Sequence, residues 1–72
     1  MDGDPVLDAL RRAVERAPDD VALRTHLAEQ LLAAGLAAEA IGHAARLLAE
    51  DPADASRQAL MRAAIAGAND PA

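Results

Sequence analysis

The sequence contains no cysteine and no phenylalanine, tyrosine or tryptophan. Without cysteine there is no disulfide and no thiolate metal site, and nothing in the chain marks a redox compartment. Without aromatics the core must be built from Leu, Ile, Val, Met and a large share of Ala. Each of these buries less area than a ring. At roughly 25 cal/mol per Å² of apolar surface, such a core needs many contacts to offset the entropy of ordering the chain. Lysine is missing too. The 7 basic residues are all arginine, against 12 acidic ones, for a formal charge of −5. An acidic chain with no stacking side chains is a poor partner for nucleic acid. No apolar run approaches the ~18 residues of a membrane helix, and Met1-Asp2-Gly3-Asp4 is acidic where a secretory leader is basic. The expectation is a soluble, cytoplasmic protein with no membrane and no nucleic-acid partner.

What is present is helical patterning punctuated by proline. Asp4-Pro5 is a helix start, because Asp accepts from the orphan amides while Pro at the first helical position lacks only an amide that would be unpaired anyway. The helix is expected from Pro5 to Arg16. Val6, Leu7, Leu10, Ala13, Val14 and Ala17 fall on one face, and Asp8, Arg11, Arg12, Glu15 and Arg16 on the other. Asp8–Arg12 and Arg11–Glu15 are spaced for i,i+4 ion pairs worth about 0.3 kcal/mol each. Pro18 disfavours the helical conformation at Ala17 and ends the element.

Asp19 or Asp20 caps a second helix from Val21 to Ala34, with Leu23, Leu27, Ala28 and Leu31 as its buried stripe. Gly35 supplies the left-handed residue that follows a helix end. The link is so short that the third helix, Ala37 to Glu50, must fold back antiparallel. Ala40, Ile41, Ala44, Leu47 and Leu48 form its apolar face. Asp54 caps a fourth helix from Ala55 to Ala66 with Leu60, Met61, Ala64 and Ile65 as its stripe, and Gly67 ends it. Residues 1–68 read as one domain and 69–72 as a turn-rich tail.

Pro18 and Pro52 stand 34 residues apart (52 − 18), with two helices between them. That spacing is the period of a tetratricopeptide repeat. Counted from Val21 as the first position, Leu27, Ala28, Leu31, Gly35, Glu39, Ala40, Ile41, Leu47, Leu48, Asp51 and Pro52 make the stretch resemble one complete repeat. One period back, Val6, Leu10 and Val14 match Ala40, Ala44 and Leu48. One period on, Leu27 and Leu31 match Met61 and Ile65. The chain reads as half a repeat, a whole one and half a repeat. The resemblance implies an all-α fold of about four helices in antiparallel hairpins. Three positions that usually carry large aromatics in that family hold Arg24, Leu31 and Ala44. Asp4-Pro5-Val6-Leu7, Pro18-Asp19-Asp20-Val21 and Leu27-Ala28-Glu29 also resemble the amino-terminal helical regions that precede AAA-type ATPase modules in some bacterial proteins. No Gly-x-x-x-x-Gly-Lys-Ser/Thr loop is present, so that likeness implies an adaptor region and no phosphate cradle.

The chemistry-bearing residues point away from catalysis. His26 and His43, the only imidazoles, fall on different helices, and a metal pair on one helix would sit three or four residues apart. Asp19-Asp20 and Glu50-Asp51 lie at helix ends, where capping accounts for them. Ser56 has no base at a recognisable spacing. Gln30 to Ala44 resembles a helix-turn-helix, but Leu31 fills the position of its small residue and the would-be recognition helix carries one arginine. Arg11, Arg12 and Arg16 form a basic patch interleaved with Asp8 and Glu15, which reads as a solvated face. The expectation is no enzyme, no cofactor and no metal.

The family resemblance implies a protein-binding concave face on the first helix of each repeat: Ala22, Thr25, His26, Glu29, Leu32 and Ala33, continued by Ser56, Ala59, Leu60 and Ala63. The Lys/Asn/Arg clamp with which some members hold carboxyl-terminal peptides is missing, since Thr25 and Glu29 occupy two of its positions. The groove so lined is small, apolar and mildly acidic, suited to a helical or extended apolar segment. Leu32 and Leu60 have a competing role as residues packed under a neighbouring helix. Two functions follow as expectations: a protein-interaction adaptor within a larger polypeptide, or a self-association element whose apolar ends pair copies into a homo-oligomer.

Overall fold

A computed structural model describes residues 4–70. The chain order is α1 (Pro5–Arg16), α2 (Val21–Ala33), α3 (Ala37–Glu50) and α4 (Ala55–Ala68). Three of the four helices start on an aspartate, as the sequence demands. Asp4 accepts from the Val6 and Leu7 amides at 2.9 and 3.4 Å, Asp20 from Leu23 at 3.0 Å, and Asp54 from Ser56 and Arg57 at 2.8 and 3.4 Å. Each cap of this kind contributes about 1 kcal/mol by satisfying amides that the helix cannot. The start of α3 has no side-chain cap. It is fixed instead by the turn before it, where Gly35 adopts φ 80°. The Leu36 amide reaches back to the Leu31 carbonyl at 2.8 Å and the Gly35 amide to Leu32 at 3.1 Å, the paired bonds of a Schellman closure.

Two boundaries differ from the sequence reading. Helix α2 ends at Ala33, one residue early, with Ala34 in the closure. Helix α4 runs through Gly67 to Ala68 rather than stopping at Ala66. Gly67 serves close packing there: a Cβ on it would lie 3.0 Å from the Ala37 Cβ of α3. The glycine lets the end of α4 press against the start of α3, so Asn69 rather than Gly67 closes the helix.

Helix α2 is the hub. It packs on α1, α3 and α4, while α3 packs on α4 and the backbone of α1 approaches α2 alone. This arrangement excludes a closed four-helix bundle, in which α1 would also meet α4. The body is a slab of 39 × 33 × 13 Å. Leu27, Leu31 and Leu47 are wholly enclosed, together with Ala28, Ala40, Ala44 and Ala64. Leu7 and Val14 reach in from α1, and Leu10, Leu23, Leu32 and Ile41 pack around the rim of this core. Val6 and Ile65, expected on buried stripes, are 60% and 43% exposed. They lie on α1 and α4, and among the described residues no further helix covers them.

Polar groups join α1 to α3 across the face of α2. The Arg11 guanidinium donates to both oxygens of Glu39 at 2.6 and 2.7 Å and to Asp8 at 2.9 Å. Asp8 therefore pairs at i,i+3 with Arg11, not at i,i+4 with Arg12. All three side chains are about one-third to one-half exposed, which holds this network near the modest worth of surface ion pairs. Beneath it lies Arg24, the one buried charged residue among those described, 8% exposed. Its Nη1 is 2.9 Å from His43 Nδ1, and its Nη2 donates to the Pro18 carbonyl at 3.1 Å, tying the α1–α2 turn to the helix. Arginine can only donate, so Nδ1 of His43 accepts and carries no proton.

Two stability predictions follow from this packing. Ala40 is fully enclosed, so Ala40→Leu should overpack the core and cost about 1–3 kcal/mol, read as a lower denaturation midpoint. An unchanged midpoint would contradict the packing. The second concerns pH. Burial, and after it the charge of Arg24, holds His43 below its ordinary 6.5. The unfolded chain therefore takes up a proton that the folded chain resists, so stability is full above 6.5 and falls as pH drops through the folded value. Glu39, held below its ordinary 4.5 chiefly by its hydrogen bond with Arg11, adds a further loss of the same sign below 4.5. Urea midpoints measured from about pH 7.5 to pH 4 should decline, and His43→Gln should flatten the upper limb. A midpoint in the parent chain that stays level across this range would rule out the assigned histidine state.

Candidate functional site

Two concavities flank α2. The first lies between α2 and α4, has a volume of about 160 Å³, and is lined by Val21, Thr25, Glu29, Asp54, Ser56, Arg57 and Leu60. Helical spacing puts Val21, Thr25 and Glu29 on one line of α2, four residues apart, and Ser56 and Leu60 on the facing line of α4. The apolar contribution comes from Val21 and Leu60. The volume suits one aliphatic side chain and falls well below the roughly 300 Å³ at which small-molecule pockets begin.

Arg57, on the wall of this groove, is turned toward the α3–α4 junction and its own carboxylate neighbours. Nη1 donates to the Leu47 carbonyl at 2.7 Å and lies 3.8 Å from Glu50, while Nε is 3.5 Å from Asp54. It ties the end of α3 to the start of α4. Gln58 braces the same turn, donating to the Pro52 carbonyl at 2.8 Å. With Arg57 and Asp54 neutralising each other, the exposed carboxylate of Glu29 sets the sign of the groove.

Of the ten residues expected on the concave face, Thr25, Glu29, Ser56 and Leu60 line this groove together. Ala22, His26, Ala33, Ala59 and Ala63 are exposed on the same two helices without lining it. Leu32 takes the packing role that its sequence position also allowed. It is half-buried, packs against the core, and sits beside Gly67. The close approach of α4 to α3 draws it inward, which makes it a packing residue. Val21, Asp54 and Arg57 were missed. Val21 was read as a helix start and the first position of the repeat, and Asp54 as a cap; Val21 stands four residues before Thr25 and Arg57 directly follows Ser56, and that spacing was the available signal for these two.

The second concavity, of about 350 Å³, lies between α1 and α3 with α2 as its floor. Arg11, Val14, Glu15, Pro18, Arg24, Leu27, Glu39, His43 and Arg46 line it. Arg46 is loosely held, 3.6 Å from both Asp19 and Glu50. Burial first, and the nearby Arg46 charge second, hold the Arg24 guanidinium below its ordinary value. Arg12 and Arg16, the rest of the basic patch, are exposed on the outer face of α1. Among the described residues no group of three or more His, Asp or Glu stands where it could hold a metal ion, and no helix is long and apolar enough to cross a membrane.

Comparison with curated proteins and with solved structures gives no match. The family model for the tetratricopeptide repeat, by contrast, matches residues 2–72, nearly the whole chain. The match agrees with the antiparallel hairpin of α2 and α3 and with the 34-residue proline spacing that frames it. This chain belongs to the tetratricopeptide repeat family.

Proposed function

We propose that this chain is a non-catalytic adaptor within a larger polypeptide, and that the groove between α2 and α4 seats one aliphatic side chain of an extended or helical partner segment. The family supplies the general role, protein–protein interaction. The observation that carries the finer reading is the pairing of Val21 and Leu60 across a groove sized for one side chain, with Glu29 beside them. An aliphatic residue next to a Lys or Arg satisfies both features, with the charge meeting Glu29. Ala22, His26, Ala33, Ala59 and Ala63 form the flat margin along which such a segment would lie. The likeness to regions preceding AAA-type ATPase modules supports an adaptor upstream of a bacterial, cytoplasmic motor.

Self-association is the second reading. Val6 and Ile65 are exposed, whereas Ala40 and Leu31, one period away, are fully enclosed. Copies stacked end to end would cover both. Arg62, however, stands one period from Ala28, which is wholly buried. A long charged side chain at that place opposes close approach, so the adaptor reading is preferred.

Selection from a random peptide library tests the choice. Recovered peptides should carry an aliphatic residue beside a basic one and should perturb amides over residues 21–29 and 54–60. They should lose about tenfold or more in affinity against Leu60→Asp. Peptides that ignore this variant would refute the groove as the site. Light scattering over a wide concentration range should report a monomer, and a mass that climbs with concentration would favour stacking instead.

A further inference from the structure

The concavity between α1 and α3 is built around a buried charge with no ion-pair partner. Arg24 is more than nine-tenths buried. Of the five N–H donors of a guanidinium, two have acceptors, His43 Nδ1 and the Pro18 carbonyl, and neither acceptor is an anion. Arg11 at the rim is saturated by Glu39 and Asp8. Arg46, the other cation of the wall, is held only at 3.6 Å by Asp19 and Glu50. Buried cations are ordinarily matched by a hydrogen-bonded anion. Here no carboxylate comes within ion-pair distance of Arg24, on which Glu50 and Asp19 act only from farther off, and the residue lines a space of about 350 Å³.

We propose that this cavity, on a different face from the α2–α4 groove, is a binding site for an oxyanion, a carboxylate or phosphate group, held by Arg24 with Arg46 at its edge. A planar or tetrahedral oxyanion accepts two parallel N–H bonds from one guanidinium, the arrangement that Arg favours. The charged groups around the site are Arg11 and Glu15 from α1, Asp19 from the turn after it, Arg24 from α2, and Glu39, His43, Arg46 and Glu50 from α3. Arg11 is engaged by Glu39 and Asp8, and Arg46 by Asp19 and Glu50, so Arg24 is the lining cation with no carboxylate at ion-pair distance. His43 couples the site to protons. A bound oxyanion offsets the Arg24 charge, which is one of the causes that oppose protonation of His43. Binding and protonation therefore reinforce each other, and the reinforcement is reciprocal.

The test is nuclear magnetic resonance of the full chain titrated with acetate or inorganic phosphate, against chloride at matched ionic strength. The expected result is a saturable shift of the His43 ring and the Arg24 Nε–H signals, with His43 titrating at a higher pH in the bound form. Saturation by acetate alone assigns a carboxylate, and saturation by phosphate alone assigns a phosphate group. Arg46→Gln, at an exposed position, should weaken binding several-fold without loss of helicity. Shifts no different from chloride with either anion, or saturation that leaves His43 untouched, would overturn the proposal. So would unaltered binding in a folded Arg24→Gln variant.

Discussion

The constraint on which the structure depends is close approach between helices that have no rings to fill the space between them. Ala28, Ala40, Ala44 and Ala64 are wholly enclosed, and the largest fully buried side chains are the three leucines Leu27, Leu31 and Leu47. Each methyl contributes little, so the helices must come near enough for many small contacts to accumulate. Gly67 against Ala37 shows how far this goes, since one added carbon would already be crowded at 3.0 Å. The Schellman closure at Gly35 serves the same end. It turns the chain within three residues, so α2 and α3 are placed by their connection before their side chains are counted.

The lack of aromatics also explains the polar seam. Arg24 occupies a place where the family usually has a ring, and its aliphatic stem covers apolar surface as a ring would. Its head then needs acceptors, which the Pro18 carbonyl and His43 provide. The result is a buried cation at the junction of three helices, with α1 and α3 joined above it by Arg11 and Glu39. A ring would have made this face inert, whereas arginine makes it responsive to protons and to anions.

Much of the architecture was legible in the sequence, because the signals were local. Asp-initiated caps, Pro18 and Pro52 as stops, and Gly35 as a left-handed residue each act within a turn or two of the chain, and the repeat period ties them together. The features that were misread depend on what lies across space. Gly67 looked like a terminator because its neighbour Ala37 is 30 residues away in sequence (67 − 37). Leu32 had two readings in the sequence, groove and packing, and only the approach of α4 separates them. Val6 and Ile65 kept helical periodicity on faces that nothing among the described residues covers, since periodicity reports a face and not its occupant. The pairing of Arg24 with His43, and the cavity above it, left no trace in local pattern at all.

Helix α1 differs from the other three in how it is held. Its backbone approaches α2 alone, and its polar link to α3 is the part-exposed Arg11–Glu39 ion pair. Its detachment therefore costs less than global unfolding, and the protein has a graded rather than uniform resistance to opening. Ionic strength weakens the Arg11–Glu39 contact and leaves the leucine core alone. Leu7 and Val14 nonetheless commit α1 to the same core as Leu27 and Leu31, so salt acts on the rim of this contact and not on its centre.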